Sequence, residues 1–128
     1  MTHITLDERL FFDGKQAAFP LYEAVAGALL SRYPGTRVRV GKTQITFSER
    51  YVYACVSLRP VRRKAELPVP FLTVTLGLPG PLVSPRVAQQ TEPYPGRWTV
   101  HIPIGSPGDV DGELLTWVEA AHDFARSK

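Results

Sequence analysis

The stretch Phe71-Leu72-Thr73-Val74-Thr75-Leu76-Gly77-Leu78 decides the fold, because its polarity alternates with a period of two. Four apolar side chains fall on one face and two threonines on the other, which is typical of a β-strand with one buried side. The sequence Pro79-Gly80-Pro81 follows and predicts the end of the strand, since proline cannot donate to a sheet ladder. The pattern therefore predicts a sheet with one apolar face and one polar face.

Further strands are predicted on both sides of this one. Apolar and polar residues alternate around 38–40, around 45–47 and from 98 to 104. Residues 51–58 are enriched in aromatic and β-branched residues and apolar on both faces, which is typical of a central strand. Residues 84–96 are predicted to form a long loop with at most a short strand or turn. The pattern gives an antiparallel β-meander of four to five strands.

A helix is predicted at each end of the strand region. The first begins at Pro20 and ends before Pro34, with apolar residues at helical spacing between them. The second begins near Ser106 or Asp109, either of which is a suitable cap. Its apolar stripe comprises Val110, Leu114, Trp117, Val118, Ala121, Phe124 and Ala125. The sequence thus predicts a single α+β domain over residues 1–128, with both helices packed on one face of the sheet.

The composition is that of an ordinary globular domain, with 44% hydrophobic and 21% charged residues. No apolar run reaches the roughly 18 residues that a bilayer-spanning helix needs, and the N-terminus lacks a basic and then apolar leader. We therefore expect a cytoplasmic protein without membrane contact. Cys55, the single cysteine, lies in an apolar stretch and is predicted to be a small core residue rather than a reactive thiol.

Charge is unevenly distributed along the chain, whose net charge is +3. Residues 32–64 carry nine Lys or Arg residues and one acid, Glu49, whereas residues 109–123 carry five acids and no Lys or Arg. This asymmetry suggests one anion-attracting face. Phe47, Tyr51 and Tyr53 lie among the basic residues, and arginines with aromatic rings can hold single-stranded nucleic acid. Phe47 and at least one of the tyrosines are nevertheless expected in the core.

No catalytic or metal motif is complete. Gly41-Lys42-Thr43 resembles the end of a phosphate loop, but Thr36 stands where that motif needs its first glycine, so a turn between strands is predicted. His3, His101 and His122 lack metal-ligand spacing, and neither a metal nor a cofactor is predicted. His122 is expected to be a favourable partial charge near a helix end. His101, on the polar face of its strand, is the weak catalytic candidate, as a proton shuttle or an anion ligand.

Several segments carry a family resemblance: Lys42–Phe47, Arg86, Tyr94–His101, Asp109–Leu114, Trp117 and Glu119–Ala121. Together they resemble the bacterial domain-of-unknown-function family 5655 and, more distantly, the small YdhG-like α+β proteins. The resemblance implies a stand-alone or appended domain, sometimes beside nuclease-like or transport modules, with no established activity. It directs attention to Lys42, Arg86 and His101. Members often carry two adjacent histidines where this chain has Val100 and His101.

A ligand-binding or interaction domain is the leading expectation, ahead of an enzyme. The polar sheet face would accept an anionic group or nucleic acid through Lys42, Arg50, Arg86 and His101. Other residues expected on that face are Arg37, Arg39, Thr46, Thr73, Thr75 and Thr99.

Two other functions remain open. One is a small enzyme acting on an anionic metabolite, with His101 as acid or base and Arg86 or Lys42 as the substrate clamp. The other is a homodimer formed through the open sheet face or an edge strand.

Overall fold

The structure, a computed structural model, describes residues 4–127, so His3 lies outside it. No helix in this range is long and apolar enough to cross a membrane. Short 3-10 turns cover Gln16–Ala18, Lys64–Glu66 and Pro107–Asp109. The helices and strands are α1 (Leu6–Phe11), α2 (Phe19–Arg32), β1 (Arg37–Val40), β2 (Ile45–Ser48), β3 (Val52–Ser57), β4 (Leu72–Leu78), β5 (Gln89–Tyr94), β6 (Arg97–Ile104) and α3 (Gly112–Arg126).

The predicted α+β class, the antiparallel sheet and the helices at both ends are confirmed, but the described residues form six strands, not four to five. The sequence predicted a long loop over residues 84–96 with at most a short strand or turn, whereas the structure forms the six-residue strand β5 there. Its sequence, Gln-Gln-Thr-Glu-Pro-Tyr, has no apolar alternation. Pro93 cannot donate to a ladder, and β5 accordingly lies at an edge of the sheet, paired with β6 alone.

The prediction of a simple meander is correct only for the first four strands. The spatial order is β1-β2-β3-β4-β6-β5, so β6 lies between β4 and β5. Burial explains why β6 lies inside the sheet, because its residues Val100, Ile102 and Ile104 are all fully buried. An interior position gives both sides of this strand a backbone partner and leaves the polar β5 at the edge.

One hydrophobic cluster joins α2 and α3 to one face of the sheet. The Tyr22 ring of α2 lies 6.3 Å from the Phe47 ring of β2, measured between centroids. The sheet residues buried in this cluster include Ile45, Phe47, Ala54, Val56, Leu72, Val74, Leu76, Val100, Ile102 and Ile104. Because side chains alternate along a strand, the polar residues between them face away from this cluster.

The start of α3 differs from the prediction. Asp111 caps the helix, accepting a hydrogen bond from the Leu114 amide at 3.0 Å. The two predicted caps instead stabilise the 3-10 turn before it: the amides of Gly105 and Ser106 both donate to Oδ2 of Asp109, at 2.8 and 3.2 Å.

Helix α1 was not predicted, although its sequence carries a start signal. Thr5 and Glu8 form a reciprocal capping box. Glu8 is buried, and its second carboxylate oxygen accepts a hydrogen bond from the Tyr22 hydroxyl. The six-residue helix is thereby attached to α2 through a buried polar contact.

Candidate functional site

The face of the sheet turned away from the hydrophobic cluster carries a continuous row of polar side chains. Strand register places one residue from each strand in this row, and they are Arg39, Thr46, Cys55, Thr75, His101 and Gln89. The two outermost residues are exposed and the inner four are half-buried. Cys55 therefore lies on the polar face, and the prediction that it is a core residue is wrong. Its Sγ lies 3.6 Å from Gln44 Oε1.

His101 lies near the middle of this row with one ring nitrogen engaged. Its Nδ1 lies 2.8 Å from Thr75 Oγ1 on the neighbouring strand. Within residues 4–127 its Nε2 has no hydrogen-bond partner. Burial, and then the positive charge of Arg59, lower the pKa of His101 below its ordinary value of 6.5. The imidazole is therefore mainly neutral near neutral pH, with one nitrogen available to a ligand.

The loop between β3 and β4 covers one end of the polar face and brings arginines to it. Thr73 is fully buried there, and its hydroxyl donates to the Arg59 carbonyl at 2.8 Å. Arg62 Nη2 donates to the carbonyls of Pro85 and Val87, at 2.8 and 3.2 Å, which ties this loop to the segment before β5. The Arg59 side chain is exposed, and within residues 4–127 it has no hydrogen-bond or ion-pair partner.

The electrostatics of this face favour anions. Arg37, Arg39 and Arg97 follow the same alternation as the polar row. Among the residues of the six described strands, Glu92 is the only acid, and its Oε2 accepts from the Gly96 amide at 3.0 Å. A ligand on this face therefore meets several cations and few carboxylates.

Lys42 and Arg50 lie at opposite ends of the sheet. Lys42 is in the turn between β1 and β2, where the Gly41 amide donates to the Gln44 carbonyl at 2.8 Å, and the predicted turn is confirmed. Arg50 is in the turn between β2 and β3, with its guanidinium 5.6 Å from the Tyr51 ring centroid. The four residues of β2 separate the two turns, a distance of about 13 Å. Lys42 lies at the same end as the Arg59 loop.

The Arg86 side chain binds three residues at the start of α3. Its Nη1 lies 2.9 Å from Asp111 and 3.0 Å from Glu113, and its Nη2 donates to the Asp109 carbonyl at 2.7 Å. The guanidinium also lies 5.6 Å from the Trp117 ring centroid. Burial lowers the pKa of Arg86, but the hydrogen bonds to the two carboxylates outweigh it and raise the pKa. The structure therefore does not bring the four predicted binding residues together, because Arg86 is engaged by Asp111 and Glu113 and Arg50 lies at the opposite end of the sheet from Lys42.

The comparison with protein families identifies the chain. The model of a domain of unknown function, DUF5655, matches residues 8–125. The chain belongs to this family. The match runs from α1 to α3 and confirms the predicted family, whereas the resemblance to YdhG-like proteins stays a prediction. No curated protein and no solved structure matches the chain. Membership of the DUF5655 family does not assign an activity, and the residues of the site carry the functional information.

Sequence reasoning missed a second cluster in this DUF5655 chain, centred on His122. The imidazole stacks on the Tyr33 ring at 3.8 Å with an interplanar angle of 6°, and Tyr53 packs edge-on against it at 5.0 Å. Its Nε2 forms a hydrogen bond with Oε1 of Glu49. His122 is buried and packs against two aromatic rings near the C-terminal end of α3, and its role as a favourable partial charge there stays a prediction. A pocket of about 250 Å³ next to it is lined by Glu49, Arg50, Tyr51, His122, Ala125 and Arg126.

A β-bulge explains how Tyr53 reaches this cluster. Phe47 pairs with Ala54 and Ser48 pairs with Val52, so Tyr53 is one residue too many on β3. Strict alternation would place Tyr53 on the same face as Cys55. The bulge turns its ring towards Tyr33 and His122 instead, and only 2% of Tyr53 is exposed. Single-sequence patterns carry no signal for such a bulge, since it depends on the register of two strands.

Proposed function

We propose that this domain binds a small anionic ligand on the polar sheet face, centred on His101 and Thr75. The single observation that carries this proposal is the free Nε2 of His101 beside the positive charge of Arg59. A phosphate or carboxylate placed there accepts a hydrogen bond from the guanidinium, and a second from Nε2 of the imidazole when that nitrogen carries a proton. Charge-assisted bonds of this kind are the strong ones in proteins.

The same geometry supports a small anion over a single nucleic-acid strand. Base stacking needs exposed aromatic rings on the binding face. Phe47 and Tyr53 of the basic stretch are buried in the core, with 0% and 2% exposure. Tyr51 lies in the turn next to Arg50, at the end of the sheet away from Lys42. The nucleic-acid alternative therefore keeps its cations but loses the rings of Phe47 and Tyr53, and Tyr94, 67% exposed and paired with Arg97, is the ring left for stacking on this face.

The enzyme alternative has weaker support. It requires His101 to share a pocket with Arg86 or Lys42. Arg86 is bound to Asp111 and Glu113 at the start of α3, so it is not available as a clamp. A binding role for His101 needs no such partner and takes its cation from Arg59.

The two edge strands of the sheet are unfavourable for homodimer formation through strand pairing. Strand β1 has four residues and exposes Arg37 and Arg39, and β5 contains Pro93. Short strands, charges and prolines at an edge all oppose strand-to-strand pairing. A dimer would therefore have to use the polar face itself.

A titration of the full chain with inorganic phosphate, followed by amide and imidazole NMR shifts, tests the proposal. We expect saturable shifts at His101 and Thr75, weakened in Arg59→Gln. Arg32→Gln is the matched control, because it removes one charge near α3, where Arg32 pairs with Glu119 at 3.4 Å. The proposal fails if the two variants bind phosphate equally well, or if wild type shows no saturation.

A parallel titration with short single-stranded DNA and RNA separates the two anionic ligands. It is run at about 50 and about 200 mM salt, since binding through several phosphates falls steeply with salt. Oligonucleotide binding that is tighter than phosphate binding and strongly salt-dependent would favour the nucleic-acid alternative.

A further inference from the structure

A cavity of about 300 Å³ lies between the loop before α2 and the loop that joins β3 to β4. Its lining is Gly14, Lys15, Gln16, Ala17, Ala18, Leu58, Lys64, Leu67, Pro68, Val69, Pro70 and Phe71. Most of these side chains are apolar, and the volume is at the lower end of the range for small-molecule sites. It equals the volume of about ten water molecules. None of the residues of the polar row lines it, so this cavity is separate from the site around His101.

The charges of the cavity have a single sign. Lys15 and Lys64 contribute ammonium groups from two different loops, and among the described lining residues there is no carboxylate. Glu66 lies close in sequence, but its Oε2 pairs with Arg63 Nε at 3.4 Å. An anionic group at the cavity mouth would therefore meet two lysines of the lining, and no carboxylate of the described lining residues competes for them.

The apolar part of the cavity is incompletely covered. Val69, on its wall, is 91% exposed, although Leu67 and Ala18 beside it are buried. A ligand with an apolar body would remove this surface from water, which is favourable in proportion to the area covered. A purely ionic ligand would leave Val69 and Phe71 uncovered.

Backbone contacts hold both walls in place. The amides of Lys15 and Ala18 donate to the Phe12 and Lys15 carbonyls, at 2.8 and 3.0 Å. On the other wall, Gly105 packs so closely on Pro68 that an added Cβ would lie 2.4 Å from the proline Cβ. The cavity is therefore formed before any ligand arrives, and a ligand does not have to order the loops.

From these observations we propose a second binding site, for an amphipathic organic anion. The apolar body lies against Leu58, Leu67 and Phe71, and a single carboxylate, sulfonate or phosphate head lies between Lys15 and Lys64. A cavity of about 300 Å³ has room for an apolar body that carries one charged head group. This inference is independent of the anion site around His101.

Competition against a fluorescent probe tests this site in the full chain. Anilinonaphthalene sulfonate, an aromatic body with one sulfonate, is titrated first and is expected to bind saturably. Octanoate is then expected to displace it at lower concentration than octanol, which has the same chain without the charge. Equal potency of the two competitors, or a probe signal that does not saturate, would overturn the proposal.

Charge variants locate the head group. Lys15→Gln and Lys64→Gln are each expected to weaken octanoate about two- to fivefold, the range of an exposed ion pair, and to leave octanol unchanged. Lys42→Gln, which removes the same charge outside the cavity, is the matched control. If Lys42→Gln weakens octanoate as much as Lys15→Gln does, the charge effect is not local and the site is wrong.

A filled cavity gives an independent test. Ala17 is exposed and lines the cavity, so Ala17→Phe is expected to abolish displacement by octanoate while thermal unfolding stays within a few degrees of wild type. If octanoate binds the folded variant with wild-type affinity, the body does not lie in this cavity. Phosphate shifts at His101 measured in the same variant separate a failure of this site from a failure of the sheet-face site.

Discussion

His101 Nδ1 lies 2.8 Å from Thr75 Oγ1 on the neighbouring strand, while the charge of Arg59 acts on the same imidazole. The hydrogen bond fixes the ring, because it engages one nitrogen and leaves the other without a partner among residues 4–127. Since Arg59 belongs to the loop after β3, the protonation of His101 is coupled to the position of that loop.

We expect His101 to titrate below 6.5, its ordinary pKa, because burial and Arg59 both disfavour the imidazolium. Its pKa is lowered on folding, so its contribution to stability is complete above pH 6.5 and is lost as the pH falls from there through the folded pKa. NMR titration of the imidazole protons measures this directly. Arg59→Gln should move the pKa upwards, and an unchanged pKa in that variant would contradict the assigned cause.

Phosphate binding should strengthen as the pH falls through the same range. An anion that binds the imidazolium better than the neutral ring raises the pKa of His101 by linkage. Phosphate titrations at pH values above and below the folded pKa check this, and His101→Gln should remove the pH dependence. Phosphate ionises in this range too, so sulfate is the control anion.

Arg86→Lys should destabilise the fold, because a lysine cannot reproduce the branched contacts of the guanidinium with Asp111, Glu113 and the Asp109 carbonyl. We expect a loss of about 1–3 kcal/mol in the free energy of unfolding, measured in urea. Arg63→Lys is the control, since the Arg63 side chain is 87% exposed and, within residues 4–127, its ion-pair partner is Glu66 alone. Similar losses in both variants would show that Arg86 does not stabilise the start of α3.

Tyr22→Phe should leave a carboxylate oxygen of the buried Glu8 without its hydroxyl donor. An unsatisfied buried acceptor of this kind costs about 1–3 kcal/mol. Tyr33→Phe is the control, because within residues 4–127 the Tyr33 hydroxyl makes no hydrogen bond. Urea denaturation of the two variants should separate them clearly, with Tyr33→Phe near wild type.

Cys55 should react slowly, since burial raises the pKa of its thiol. Alkylation by iodoacetamide at mildly alkaline pH is expected to be slower than that of glutathione and to accelerate when urea unfolds the chain. Alkylation of the folded protein at the glutathione rate would show that the polar row is more open at Cys55 than the structure indicates.

The sequence predicts the elements of this fold whose pattern depends on residues adjacent in the chain. It does not predict the elements that depend on distant partners. The alternation of Leu72 to Leu78 and the helical spacing after Pro20 depend only on neighbours, and both elements formed as expected. Strand β5 lacked such a pattern. The capping box of Thr5 and Glu8 was a readable signal for α1 that the prediction did not use.

The candidate site was less predictable from the sequence, because charged side chains form ion pairs and hydrogen bonds with residues that are distant in sequence. Arg86 was expected on the polar face, but its carboxylate partners lie 25 and 27 residues further on. Glu49 and His122 are 73 residues apart. His101 and Thr75 could be placed on one face from alternation alone, and this part of the predicted site is what the structure brings together.

The interior position of β6 also constrains how the chain is made. A ribosome delivers residues in order, so β1 to β4 can pair as successive hairpins while they emerge. Strand β5 emerges next, yet its only partner is β6, whose residues 97–104 come later. During synthesis, the edge of β4 therefore stays unpaired until β6 is made, which happens after β5. The sheet is completed only when the hairpin of β5 and β6 docks on β4 as a unit.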